Sequence, residues 1–570
     1  MFLPTTRQEL DQLGWNALDV ILVTGDSYID SPYIGIAVIG KVLVNAGYRV
    51  GIIAQPDVQS NQDITRLGEP LLFWGVTGGS VDSMVSNYTA LKKKRHNDDY
   101  TPGGINNRRP DRAVITYVNL IRRFYKRTRP IVLGGIEASL RRIAHYDFWS
   151  DRIRGSILFD AKADYLLYGM AERSVLELAL AIENNTAVEQ TRGLCYIARQ
   201  KREEYLELPS LAEVTGDKLA FINMYHTFYR NNDPLNAKGL CQQHGDRFLI
   251  QNPPAIYPDQ SEIDAVYDMV YEYDQHPYYA QLGKVRALET IKFSISTHRG
   301  CYGECNFCAI AVHEGRTVRW RSEASILAEA RHLTELPDFK GYILDAGGPT
   351  ANMYAIECDI KLKSGSCQGK RCLTPNICPV LKIDHKPQTE LLRRLRKIKG
   401  VTKVFIASGI RYDLLLADRK SGQEYLEEIV EHHVSGQLKI APEHSETHIL
   451  RRMGKPGRTP LLKFKERFDS LSHSSGKKQF LTYYLIAAYP DCTDDDMRKL
   501  KEFANQSLQI NPEQIQVFTP TPSTYASVMY YTEMDPFTHE KIFVEKDPIK
   551  KQRQKDIVLQ KNKKNNLKVR

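Results

Sequence analysis

Apolar residues in the first 200 positions come in short blocks that run into glycine and then restart at helical spacing. DVILVTGD (19–26) reads as a buried strand, IGIAVIGKVLVNAGY (34–48) as a helix and RVGIIAQP (49–56) as a second strand, which together make one βαβ unit. PLLFWGVTGGSVDSM (70–84), RPIVLGGIEASL (129–140) and ADYLLYGMAE (163–172) repeat the theme of an apolar strand, a Gly-containing loop and a helix. The pattern predicts an α/β, doubly wound, Rossmann-like domain over residues 1–200. Ligands of such sheets bind at the carboxyl ends of the strands, here near 24–26, 77–80, 134–137 and 169–172. The loop TALKKKRHNDDYTPGGINNRRPDR (89–112) is basic and Gly/Pro-punctuated, and reads as a solvated, mobile surface segment.

Residues 201–289 lack a clean period; FINMYHTFYRNN (221–232) and VYDMVYEYDQHPYY (266–279) are rich in aromatics and read as connecting helices and loops. Order resumes over 290–530. IKFSISTHRG (291–300), GYILDAGGPT (341–350), TKVFIASGI (402–410), GQLKIAPEH (436–444), QFLTYYLIAAYP (479–490) and IQVFTPTP (515–522) read as strands, with helical segments such as SEASILAEARHLTEL (322–336) between most of them. This alternation predicts a partial or complete (β/α) barrel, whose chemistry sits at the C-terminal ends of its strands.

A chain of 570 residues exceeds the size at which one core stops growing, so more than one domain is expected. No run approaches the roughly 18 apolar residues of a membrane span, so no membrane association is expected. The first thirty residues carry no export signal, making the cytoplasm the expected compartment. The net charge of +10 is concentrated at the end: residues 541–570 hold eleven Lys/Arg against Glu545, Asp547 and Asp556. The expectation for 531–570 is a basic, disordered tail that is simply solvated, with contact to a nucleic acid such as RNA, or to an acidic partner, as the minority reading.

Seven of the ten cysteines lie between Cys301 and Cys378, a concentration that points to metal rather than disulfides. Cys301, Cys305 and Cys308 put three thiolates on the loop leaving a strand. A four-iron cluster held by three cysteines leaves one iron open to a small molecule that chelates through amino and carboxylate groups. Zinc would want a fourth protein ligand, for which His298 or His313 could be drafted; both read better as packed histidines. Arg299 beside them would offset cluster charge or cap a turn. A second set, Cys358, Cys367, Cys372 and Cys378, lies in an insertion containing KLKSGSCQGKRCLTPNICPVL (361–381), and suits an auxiliary iron–sulfur cluster, a structural zinc or no metal. Cys195, Cys241 and Cys492 are isolated and read as structural.

The CxxxCxxC spacing resembles the signature of the radical SAM superfamily. That resemblance implies a [4Fe–4S] cluster on Cys301, Cys305 and Cys308, S-adenosylmethionine as cosubstrate, and reductive cleavage to a 5′-deoxyadenosyl radical. Phe307 would lie near the adenine; Gly347, Gly348 and Pro349 resemble the motif that meets the methionyl amino group, here without its Glu, a role open to Asp345 or another acid. Ala441 to Ser445 with HILRRMGKP (448–456) resembles a segment contacting ribose and carboxylate, which nominates Glu443 and Arg451 or Arg452. YLIAAYPD (484–491) and Phe518 to Pro522 resemble later strands of the methylthiotransferase-like branch.

Over nearly the whole chain, VTGDSYIDSPYIGIAVIGKVL (23–43), STHRGCYGECNFCAIAVHEGR (296–316) and KIAPEHSETHILRRMGKP (439–456) resemble the YgiQ-like family of radical SAM proteins. The family implies a Rossmann-like domain related in layout to cobalamin-binding domains, a barrel and an unestablished substrate. No Asp-x-His-x-x-Gly stretch could place a histidine under cobalt, so a scaffold without a corrinoid is expected, with a histidine-free cobalamin mode as the alternative. An electron donor such as flavodoxin or ferredoxin is implied. The catalytic residues acting on substrate are not legible. Two other readings stand beside hydrogen abstraction from an unknown substrate: a methylthiotransferase- or methylase-like activity on RNA or a small molecule, and a non-catalytic iron–sulfur redox protein.

Overall fold

The computed structural model describes residues 1–559. Its N-terminal half is built on a nine-stranded sheet. The strands Val50–Ala54, Val20–Thr24, Phe73–Thr77, Ile131–Gly134 and Tyr165–Leu167 lie side by side and parallel, in that order. All five residues of Val20–Thr24 are buried, the uninterrupted apolar run of a strand covered on both faces. Helices Gly35–Asn45 and Ala113–Phe124 supply crossovers, each turning its apolar stripe to the sheet.

The sheet does not stop near residue 200. Leu194–Ala198 and Arg247–Gln251 continue it antiparallel, and Leu240–His244 and Leu206–Leu208 complete it. Residues 201–251 are therefore partly strand, where connecting helices and loops were expected. GLCQQHGDRFLIQ (239–251) carries the signal of a hairpin, two half-apolar runs about a Gly-Asp turn, and Gly245 occupies the left-handed conformation (φ 65°) that the turn needs.

The second half is an open (β/α) barrel. Ser294–Ser296 pairs in parallel with Asp345–Gly347, and Tyr342–Ile343 with Lys403–Val404. A bridge from Ile410 to Ile440 leads to Gln437–Glu443, then Phe480–Ala487 and Gln516–Val517, all parallel. Among the described residues no ladder returns from Gln516–Val517 to Ser294–Ser296. Helices Glu323–Glu335, Lys386–Leu395, Gly422–His432, Arg458–Ser474 and Asp494–Phe503 fill the connections. The last opens on a capping box between Thr493 and Asp496, which satisfies its first amide groups.

The two halves share a core. Leu22, Ile36, Phe73 and Val132 of the sheet belong to the same apolar cluster as Ile295, Ile326, Val404 and Leu438 of the barrel. Such continuity makes the interface between halves part of folding rather than a hinge surface.

Two further expectations are corrected. The loop 89–112 is anchored, not loose: buried Arg109 pairs with Asp26 (2.8 Å) and Asp98 (3.0 Å) and donates to the Gly78 carbonyl. The segment after residue 531 is also ordered through Leu559. Helix Pro548–Leu559 buries Lys551, Gln554 and Val558, and Gln554 bridges the Ala488 amide and the Cys492 carbonyl. Lys551 donates to the Tyr530 hydroxyl at 2.7 Å, and burial lowers its amine to about 8. The rest of the expected tail lies outside the described residues.

Candidate active site

Strand Ser294–Ser296 and the short Arg299-containing strand after it deliver the chain to Cys301, Cys305 and Cys308, half-buried at the carboxyl end of the first barrel strand. The loop closes tightly. The Gly303 amide donates to Cys301 Sγ (3.3 Å), and a Cβ at Gly303 would stand 3.2 Å from Cys301 Sγ, 3.3 Å from Arg411 Nη1 and 3.6 Å from Cys305 Sγ. Arg411 Nη1 lies 3.7 Å from Cys305 Sγ; the guanidinium is held by Asp413 through bonds of 2.8 and 2.6 Å, and its own amide is fixed by Asn352 Oδ1. Burial pushes the Cys301 and Cys308 thiols up, and the Arg411 charge opposes this at Cys301.

Glu304, inside the loop at φ 46°, is its buried keystone. Its carboxylate accepts from Tyr229 (2.8 Å), Arg316 (2.8 Å) and Lys361 (3.1 Å), and its carbonyl accepts from Arg371 (3.1 Å). Burial alone would raise this acid, but the Lys361 and Arg316 charges outweigh it and hold it at about 2.

The second barrel strand brings Gly347 to Thr350 against this loop. Thr350 Oγ1 is 3.4 Å from Cys301 Sγ, and Met353 Sδ lies 3.8 Å from the same sulfur. The Gly347 carbonyl accepts from Thr297 N at 2.7 Å. Gly348 lies so close to His298 that a Cβ would come within 2.7 Å of its ring, which is why only glycine fits. His298 is buried, bonded to Thr297 and Thr350, and lowered to about 4 by burial, so it is neutral near pH 7. Asp345 is spent on the next strand, accepting from the Ala407 and Ser408 amides and the Ser408 hydroxyl.

Glu443 sits at a break in register of strand Gln437–Glu443, at φ 68° and buried. Burial raises its carboxyl, with Lys455 at 3.5 Å and Arg411 opposing. Arg451 does not join it: the side chain is exposed, while neighbouring Arg452 is tied to Asp491 and Asp535. Lys455 takes the cationic place beside Glu443. Phe307 packs edge-on to Tyr489 at 6.3 Å. Arg411 and Lys455 were not singled out in the sequence: Arg411 directly follows the strand segment 402–410, Lys455 lies within the quoted HILRRMGKP (448–456), and neither carries a motif of its own.

A cavity of about 520 Å³ opens between the barrel mouth and the sheet edge. Its floor is apolar, with Leu22, Ile36 and Val132 among its residues; its barrel side includes His298, Gly347 and Gly348. Arg299 bridges the two sides, pairing with Glu172 (2.5 Å) and donating to the Tyr267 hydroxyl (3.2 Å). His313, also on the wall, is lowered to about 4 by burial, and its Nδ1 has no hydrogen-bond partner.

Comparison with known proteins decides the family. Residues 2–294 match the model described as the radical SAM N-terminal domain, and residues 295–504 match that of the radical SAM superfamily. The chain belongs to the radical SAM superfamily. A UPF0313 protein of Fusobacterium nucleatum is 57% identical over 563 residues, covering 99% of both chains, and one of Thermotoga maritima is 48% identical over 568 residues with the same coverage. Among solved structures, the radical S-adenosylmethionine methyltransferase TsrM from Kitasatospora setae superposes with a TM-score of 0.51 at 15% identity, over 88% of this chain and 75% of that one; the likeness is one of fold. As a radical SAM enzyme the chain employs a [4Fe–4S] cluster to cleave S-adenosylmethionine reductively, and it requires a source of electrons. No described helix is long and apolar enough to cross a membrane.

Proposed function

We propose that Cys301, Cys305 and Cys308 hold the cluster, that S-adenosylmethionine lies between them and Gly347–Gly348–Pro349, and that substrate occupies the cavity facing the sheet. The observation that carries this reading is one loop at the mouth of the barrel that bears three thiols, with the Thr350 hydroxyl against Cys301, the buried Arg411 guanidinium against Cys305 and Gly303 between them. The donor set fits a cubane with one open iron: three thiolates and no fourth protein ligand on the loop. When bound, the cluster supplies the electron that splits S-adenosylmethionine into methionine and a 5′-deoxyadenosyl radical.

The chain's own residues do the rest. Arg411 places a fixed positive charge 3.7 Å from Cys305 Sγ, where it would offset the negative charge of a thiolate-held cluster. Glu443 and Lys455, a buried opposed pair, are suited to the polar groups of the cosubstrate, and Phe307 to its adenine; exposed Arg451 stands outside this set. Neutral His298 and the shared core keep the mouth dry enough to protect a reactive radical from water. Flavodoxin or ferredoxin serves as the electron donor in this reading, and the compartment is the cytoplasm.

A second reading concerns the cavity itself. A related TsrM structure contains cobalamin as well as a cluster. The apolar floor at the carboxyl ends of the strands would accept a corrinoid only without a histidine under cobalt, since His298 and His313 come from the barrel side and are bonded or enclosed. Methyl or methylthio transfer to RNA or a small molecule would follow from that occupancy.

The test is anaerobic reconstitution, dithionite and S-adenosylmethionine, with 5′-deoxyadenosine as readout. Wild type should form it and Cys305→Ala should not. A fully loaded wild type that forms none and binds no S-adenosylmethionine would sink the proposal and return the redox-protein reading. Retention of added cobalamin through gel filtration would favour the corrinoid; its loss would leave the cavity to substrate alone.

A further inference from the structure

The insertion between the second barrel strand and helix Lys386–Leu395 is not a loose ornament. Cys358, Cys372 and Cys378 pack in one small apolar cluster, and Cys301 of the first set lies against it. The Cys378 amide donates to the Cys372 carbonyl at 2.7 Å, closing a turn between two cysteines that belong to this one cluster. Cys367 follows Ser366, whose hydroxyl is fixed to Asp233 at 2.8 Å.

Two features inside this cluster have no role in packing apolar side chains. Lys361, 1% exposed, extends its amine to the Cys372 thiol as well as to Glu304 and the Arg316 carbonyl. Lys361 is thus a buried cation with a cysteine thiol among its partners, a polar contact that an apolar core does not need. Tyr302, directly after Cys301, is fully buried beside Cys358 and Cys372, and its hydroxyl finds no hydrogen bond of ordinary geometry. A buried hydroxyl without an acceptor is destabilising unless something in the site accepts it; a metal-bound thiolate would.

The insertion also grips the first cysteine loop at Glu304. Lys361 takes its carboxylate and Arg371 its carbonyl, and the Arg371 guanidinium stands over Tyr525 (5.3 Å) and Phe537 (5.7 Å). We propose that Cys358, Cys372 and Cys378, with Cys367 as the fourth thiol, hold a second metal centre of thiolate-bound iron or zinc, which locks the loop carrying Cys301, Cys305 and Cys308. Among the described residues no three metal-ligating side chains converge on a single point, in the first set or the second. The locking role rests on the reading that the first set holds the cluster; the metal site does not.

The experiment measures iron, zinc and sulfide per chain on the full-length protein in three forms: wild type, Cys358→Ser/Cys372→Ser, and Cys301→Ala/Cys305→Ala/Cys308→Ala. Wild type should hold metal beyond the about four irons of one cluster, as further iron with sulfide or as zinc. The double variant should lose that excess, and the triple variant should keep it. A reconstituted wild type that saturates at one cluster's iron with no zinc would overturn the proposal, as would an excess that survives the double substitution. A triple variant that retains all its metal would instead break the reading of the first set. The lock has its own readout: the double variant should load its remaining cluster less completely and shift its electron paramagnetic resonance spectrum, and an unchanged spectrum and loading would remove the lock.

Discussion

The sheet edge and the barrel mouth face each other across one cavity, and both present the carboxyl ends of parallel strands, yet they treat charge in opposite ways. At the sheet edge buried charges are spent on one another: Arg109 on Asp26 and Asp98, Arg141 on Asp82 and, with its positive field, on buried Glu137. At the barrel mouth the Cys305 thiol lies against the buried Arg411 guanidinium, with Cys301 and Cys308 on the same loop, and Glu443 is matched only loosely, by an amine 3.5 Å away. Charges consumed by one another hold a wall in place. Groups left under-matched in a dry mouth are the ones available to a ligand. The contrast assigns architecture to the first half of the chain and chemistry to the second.

The sharpest way to break that division is Arg109→Ala. Removal of the arginine strands Asp26 and Asp98, both 1% exposed at the side chain, without their cation. Breaking a buried pair in this way costs about 3–5 kcal/mol, so denaturant unfolding should begin well below the wild-type midpoint. Iron loading of the folded fraction should nevertheless match wild type. A variant that is stable but cannot load iron would show that the sheet edge takes part in the chemistry.

How much of this was legible differs between the halves for the same reason. The strands of the first sheet up to Tyr165–Leu167 were readable because each is an apolar run closed by a turn residue, glycine after four of them and Gln55-Pro56 after Val50–Ala54, and the cysteine motif because its spacing has few uses. Arg109 was not: in a stretch with KKKR and NNRRP, nothing in the sequence separates the one buried arginine from its solvated neighbours. Arg451 fails in the opposite direction. It sits one residue before Arg452, and only the helix's rotation decides that Arg452 is paired and Arg451 exposed. Lys551 is the third case, a lysine in a basic tail that packs on Tyr530 because its helix docks there. Pairing between distant segments leaves no local pattern, so the motif was visible while most of its electrostatic support was hidden.

Gly303→Ala probes the other side of the comparison with a smaller expected effect. The added methyl would press on Cys301 Sγ at 3.2 Å and on Arg411 Nη1 at 3.3 Å, contacts tighter than a packed interior accepts without movement. Overpacking of this kind costs about 1–3 kcal/mol, and here it falls on the geometry of the thiols rather than on the core. Iron per chain should fall several-fold while the unfolding midpoint of the metal-free chain stays within about 1 kcal/mol of wild type. Arg109→Ala and Gly303→Ala would then separate cleanly, one moving stability and the other loading. If Gly303→Ala loads fully, the cradle is not what shapes the site.

The smallest effect is a slope with pH, and it tests whether the cavity wall is as dry as the comparison requires. His298 and His313 at the cavity and His244 within the sheet are each lowered by burial to about 4, from an ordinary value near 6.5. The unfolded chain therefore binds more protons than the folded one between those limits, and stability falls as pH falls through that window. The contribution is fully present above pH 6.5 and is lost progressively toward pH 4; Glu304, held at about 2, adds its own loss only below its unfolded value near 4.5. Unfolding midpoints of the metal-free chain should drop between pH 7 and pH 5, and His298→Gln should make that dependence shallower by one histidine's share. A pH profile unchanged by His298→Gln would mean that water reaches this ring in solution, and the mouth would then be too wet to shelter the radical chemistry placed there.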